Sequence, residues 1–151
     1  MSDLLYRKEL LRLAADAHGA GRLAHPDATG TAHNPICGDR VSFDLVLDDG
    51  RIAEVSQETK ACVLVQASAS ILGQSLKGET RAGVEALRRR VGAMLESGGP
   101  VPERPFGAYG AFEAAAAYSS RHRCVLLPIE AVLAAFDNSE TGQPKTVGPQ
   151  R

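Results

Sequence analysis

The sequence predicts an α+β fold in which helices flank an antiparallel hairpin, and three observations carry that prediction. Val41, Phe43, Leu45 and Leu47 alternate with Ser42, Asp44, Val46 and Asp48, the period of a half-buried strand. Asp49-Gly50 then supplies a hairpin turn, and Arg51–Lys60 returns as a partner strand. Elsewhere the apolar residues recur three to four apart, the period of helix. With 151 residues, 44% of them hydrophobic, the chain can bury one ordinary core, and a single domain over residues 1–137 is expected.

The elements follow in order. Residues 4–17 place Leu5, Leu10 or Leu11, Leu13 and Ala17 at helical spacing, with Asp3 available as N-cap. Gly19, Gly21, Pro26 and Gly30 break regular structure, so 18–30 reads as a mobile loop that rejoins a short strand before Pro35. Ile52 and Val55 lie out of strict alternation, which predicts a bulge or twist near Ala53. Cys62 opens Val63–Leu76, apolar on most sides and rich in Ala and Ser, a largely buried helix ending near Gly78. A second amphipathic helix covers 80–96 through Val84, Leu87, Val91 and Leu95, with Arg88, Arg89 and Arg90 on or beside its solvent side. After the Gly/Pro break at 98–105, Tyr109–Tyr118 reads as an Ala-rich helix, and Pro128 suits the first turn of a closing helix through Phe136. Residues 138–151 have too little apolar content to order themselves and are expected to form a disordered tail.

Seventeen basic residues against eighteen acidic ones leave a net charge of −1, which gives no global reason to expect nucleic acid or an anionic membrane as partner. No apolar run approaches the roughly 20 residues of a membrane helix, and the opening Met1-Ser2-Asp3 lacks a signal-peptide layout, so a cytoplasmic protein is expected. Three widely spaced cysteines in a reducing compartment leave free thiols or metal ligands as the readings.

The neighbours of those cysteines carry the chemistry. Cys37-Gly38-Asp39 sets a thiol and a carboxylate two residues apart, which in extended chain directs both to one face. Cys62 falls at a strand-to-helix junction, where unpaired N–H groups favour thiolate. Cys124 is flanked by Arg121, His122 and Arg123, whose charge favours thiolate too. A Cys–His hydrolase built from these thiols with His33 or His122 lacks any orienting third group.

The segment Asn34-Pro35-Ile36-Cys37-Gly38-Asp39-Arg40, then Cys62 with Gln66-Ala67-Ser68-Ala69-Ser70, Lys77-Gly78-Glu79 and Arg123-Cys124-Val125-Leu126-Leu127-Pro128, closely resembles the IscU/NifU/SufU family of iron–sulfur scaffolds. The resemblance runs from Leu4 to Phe136. It implies a small antiparallel sheet of about three strands, covered on one face by helices, SufE/NifU-like, with Cys37, Asp39, Cys62 and Cys124 as ligands at one tip. It implies a transient [2Fe–2S] cluster or Zn2+ as cargo, and as partners a cysteine desulfurase and apo iron–sulfur recipient proteins. The persulfide acceptor it implies is Cys124 first and Cys62 second, in a scaffold that is not an enzyme in the strict sense. Arg123 stands where the IscU branch has a ligating histidine, and the interval from Gly78 to Cys124 is long, as in the SufU branch. That branch implies the alternative, a zinc-dependent sulfurtransferase. Asp39, a harder donor than thiolate, is expected to keep a bound cluster labile, while Arg40, Lys60, Arg121 and Arg123 are expected to offset the anionic ligand charge.

Overall fold

The computed structural model describes residues 8–140. Helix α1 spans Lys8–Asp16; Ala28–Asn34, Asp39–Asp48 and Arg51–Lys60 form strands β1, β2 and β3. Helices α2 (Val63–Ser75) and α3 (Arg81–Ser97), a 3₁₀ segment over Gly107–Ala117 and the long α4 (Ser119–Glu140) follow. The Asp3 cap and residues 141–151 of the expected tail lie outside the described residues, and α4 carries the chain through 138–140. No helix among the described residues is long and apolar enough to cross a membrane.

The three strands pair antiparallel in the order β1-β2-β3. Asp49 and Gly50 turn the β2–β3 hairpin with φ of 54° and 79°, the double positive φ that matches strand twist. Val46 pairs with Glu54 but Leu47 with Ile52, which leaves Ala53 as the extra residue of a bulge. That extra residue lets Ile52 reach the core although it stands three positions from Val55.

Val41, Phe43 and Leu45 fill one face of the sheet and pack into a core with α2, α3 and α4. Gly30 lies inside β1 and is no breaker, because α4 crosses there: a Cβ would overlap the carbonyl oxygen of Ala131 and the amide nitrogen of Ala135. Helix α4 also starts nine residues before Pro128. That proline sits inside it, and its missing N–H only withholds one helical bond, the one the Cys124 carbonyl would accept. The 3₁₀ segment replaces the helix expected at 109–118, and Tyr109 anchors it. Ser68 in α2 gives its one hydroxyl proton to the Val125 carbonyl (2.8 Å), so Tyr109 Oη donates to Ser68 Oγ (2.8 Å). One buried serine thus ties α2, α4 and the 3₁₀ segment together.

The loop before β1 is held down at several points. The His18 amide donates to Ser70 Oγ, Gln57 Nε2 donates to the His18 carbonyl, and Gly21 N donates to the Gln57 carbonyl. Arg22 Nε and Nη2 reach the two carboxylate oxygens of Asp44 (2.8 and 3.0 Å), which also accepts from Thr29 Oγ1 (2.7 Å) and Leu23 N (3.1 Å). Burial works to raise the Asp44 pKa, but these donors hold it below the ordinary carboxylate value. A depressed folded pKa adds stability that is full above the unfolded value and is lost as pH falls through the folded one. Asp44→Asn should therefore flatten the fall in melting temperature below about pH 4; a variant melting curve as acid-sensitive as wild type would remove Asp44 from that account.

Candidate metal centre

Three chain segments meet at one end of the sheet. Asp39 opens β2, Cys62 is the N-cap of α2, and Cys124 lies near the start of α4. One carboxylate oxygen and the two sulfurs all lie within 4.8 Å of one another. Asp39 Oδ1 accepts the Cys62 amide (3.1 Å), which sets the head of α2 against β2, and Asp39 Oδ2 faces Cys124 Sγ at 3.9 Å. Asp39 and Cys124 are buried, and Cys62 is half-buried.

The two thiols share their protons unequally. The Cys124 thiol hydrogen-bonds the Cys62 sulfur and, against the effect of burial, the Cys62 pKa is pushed down to about 6. The Val65 and Leu64 amides at the head of α2 assist, although neither completes a cap hydrogen bond. Cys124 is correspondingly raised far above the ordinary thiol value, because losing its proton removes the bond to Cys62 and leaves a second buried anion. In the metal-free protein Cys62 is therefore the more acidic of the two thiols. Iodoacetamide should modify it at a rate that climbs through about pH 6 and is level by pH 7.5, read by peptide mass. A midpoint at the ordinary thiol value near 8.5 would contradict this pairing.

Cys37 lies outside this compact trio, on the exposed turn between β1 and β2. The extended-chain expectation for Cys37 and Asp39 does not hold. The Asn34 side chain accepts from Ile36 N (3.1 Å), its carbonyl accepts from Gly38 N (2.8 Å), and Gly38 adopts φ 75°. The turn ends the alternation and exposes Cys37, but its thiol stays within reach of the Asp39 carboxylate, and its pKa is raised by desolvation and then by the Asp39 charge. Asn34 is the positioning residue that sequence reasoning passed over; an Asn-Pro two residues before a Cys-Gly is an Asx-turn signal.

Other candidates fall away from the trio. His33 is exposed and pairs across the sheet with Arg40. His122 Nε2 lies 3.1 Å from the Ala116 carbonyl, and Arg123 is exposed. Arg40 projects to the face opposite Asp39, because neighbouring strand residues alternate, so it does not offset the ligand charge at contact.

A helix-covered three-stranded sheet holding two thiols and a carboxylate together defines a small α+β protein with a sulfur-rich side-chain cluster that could hold a metal ion. The model of the NifU-like N terminal domain matches residues 5–125, and the chain belongs to that family. It is similar to the iron-sulfur cluster assembly scaffold protein IscU 1 of Archaeoglobus fulgidus, 27% identical over 66% of this chain and 64% of that protein. The chain thus spans under two thirds of that relative's length. It is also similar to the zinc-dependent sulfurtransferase SufU of Bacillus subtilis, 23% identical over 93% of this chain and 95% of that protein. Among solved structures, a nitrogen-fixing NifU-like protein (N-terminal) from Brucella abortus matches with a TM-score of 0.87 and 35% identity, over 93% of this chain and 97% of that one.

Proposed function

We propose that this protein is an iron–sulfur cluster assembly scaffold that accepts sulfur from a cysteine desulfurase, binds iron, and passes the cluster to apo-proteins in the cytoplasm. The observation that carries this reading is the convergence of Asp39, Cys62 and Cys124 within 4.8 Å. Ligands about 2.3 Å from one tetrahedral ion stand about 3.8 Å apart, so the trio fits a single metal centre. Two thiolates and one carboxylate suit either zinc or iron with sulfide. Cys37, on its turn beside the trio, supplies the fourth ligand and the exposed sulfur.

Accessibility orders the thiols differently from the sequence expectation. Cys124 is 3% exposed and holds its proton, whereas Cys37 faces solvent. In the proposed transfer the Cys37 thiol first gives up its proton, to solvent or on joining the metal as a ligand, and the resulting thiolate attacks the outer sulfur of the donor's persulfide. The donor's S–S bond breaks, its thiolate leaves with the electron pair, and Cys37 becomes the persulfide, with no net oxidation.

A second reading, a zinc-dependent sulfurtransferase, is favoured by the near full-length match to the Bacillus protein of that name. Metal analysis and a visible spectrum of protein purified without oxygen separate the two. A [2Fe–2S] spectrum is the expected result for the scaffold; one colourless zinc per chain favours the sulfurtransferase. Failure to take up any metal on reconstitution would end both readings.

A further inference from the structure

On the sheet face turned away from the helices, part of which the loop carrying Arg22 and Leu23 covers at Asp44, three register rows contain one residue from each strand. Two rows are internally satisfied. In one, Asp44 binds Arg22 and Thr29; in the other, the Thr31 and Ser42 hydroxyls lie 2.7 Å apart and Glu58 pairs with Arg22 at 3.5 Å. The row nearest the metal centre differs. His33 pairs with Arg40, and Arg40 pairs with Lys60, so three basic side chain types stand side by side across all three strands. All three are exposed, and among the described residues none has an ion pair or a hydrogen-bonded side-chain partner.

Directly opposed like charges destabilise a strand pair. In a chain whose net charge is −1, with eighteen acidic residues available, the Arg40–Lys60 pair is nevertheless left without a carboxylate. The row is about 10 Å wide, two interstrand spacings. It starts one residue from Asn34, where the turn carrying Ile36 and Cys37 begins, and Ile36 is 90% exposed, the most exposed large apolar side chain among the described residues. A bare apolar residue beside unpaired cations has the composition of a protein-binding patch, an apolar anchor with a charged rim. A duplex nucleic acid calls for many phosphate contacts, which this short row does not offer.

We propose that His33, Arg40 and Lys60 form a docking strip for carboxylates on the sulfur-donating protein, with Ile36 entering an apolar socket between them and the reacting thiol. The strip rests on the functional reading above and assigns the contact that would place the donor's persulfide over Cys37. Carboxylates about 5 Å apart on the donor would match the Arg40–Lys60 spacing. Arg40 and Lys60 face away from Asp39, so they act in recruitment and leave the ligand set alone.

The test is persulfide transfer from the cysteine desulfurase of the same genome to metal-loaded full-length protein, wild type against the Arg40→Glu/Lys60→Glu variant. The expected result is a KM for the scaffold raised at least about tenfold, with kcat and metal content unchanged. Added KCl should raise the wild-type KM and leave that of Arg40→Gln/Lys60→Gln nearly level, a variant that removes the repulsion and so keeps the fold. A wild-type KM and salt response in both variants would overturn the strip while sparing the functional reading. Absence of any transfer to wild type would overturn both. Unchanged KM together with salt-sensitive binding of a duplex oligonucleotide, lost in the variants, would overturn the strip in favour of a phosphate-bearing partner.

Discussion

Cys62→Ser should weaken zinc binding by about two to three orders of magnitude. A structural zinc site contributes about 10–16 kcal/mol. Spread over four ligands, that gives about 2.5–4 kcal/mol each, at 1.4 kcal/mol per decade of affinity. Cys62 is the right residue to change because its thiol is the more acidic of the coupled pair, so it gives up its proton to a metal more readily than Cys124. Competition against a chromophoric chelator measures the effect, and an affinity within threefold of wild type would take Cys62 out of the ligand set. Asp39→Ala should act in the opposite direction on a cluster. Removing the hard oxygen donor leaves softer ligands, and a reconstituted [2Fe–2S] absorbance should decay more slowly; equal or faster decay would deny Asp39 that role.

Gly30→Ala should destabilise the fold by about 3 kcal/mol, a large effect for one methyl group. The new Cβ would meet main-chain atoms of Ala131, Ala134 and Ala135 in α4, none of which can rotate aside. Strand and helix would have to move apart at this crossing. Gly92 in α3 provides the comparison, since a Cβ there has nothing within 4 Å and its backbone is already helical. Gly92→Ala should gain about 0.5–1 kcal/mol from helix propensity. Urea denaturation of both variants checks the pair, and equal shifts would contradict the crossing geometry.

Strand β2 was legible because Val41, Phe43, Leu45 and Leu47 recur at every second position, and the bulge was legible because Ile52 and Val55 stand an odd number of residues apart. Strand β1, Ala-Thr-Gly-Thr-Ala-His-Asn, has no large apolar residue, and Gly30 reads as a breaker until a helix about a hundred residues later is laid across it. The start of α4 was hidden because Ser119–Arg123 is polar and Pro128 suggests a first turn. An interior proline removes only one bond, and the flanking residues Val125, Leu127 and Ile129 are buried, so packing overrides the local signal. At the candidate metal centre, Cys62 was legible from its strand-to-helix junction, whereas Asp39 and Cys124 joined it in the expected set through the family resemblance, and their convergence with it shows only in the fold. The exposed placement of Cys37 was not legible, because it depends on a positive φ at Gly38 that ends the strand period one residue before Asp39.

The hydrogen bonds of Asp39 join positions 23 and 85 residues apart along the chain. An ion held by these groups would therefore close two loops, one nested inside the other, and bind only the arrangement in which the hairpin, the head of α2 and the start of α4 have already docked. Such a ligand stabilises the folded chain in proportion to the logarithm of its concentration. Cargo delivery would then loosen the structure that held the cargo, and the melting temperature would report whether a molecule is carrying its load or has just released it.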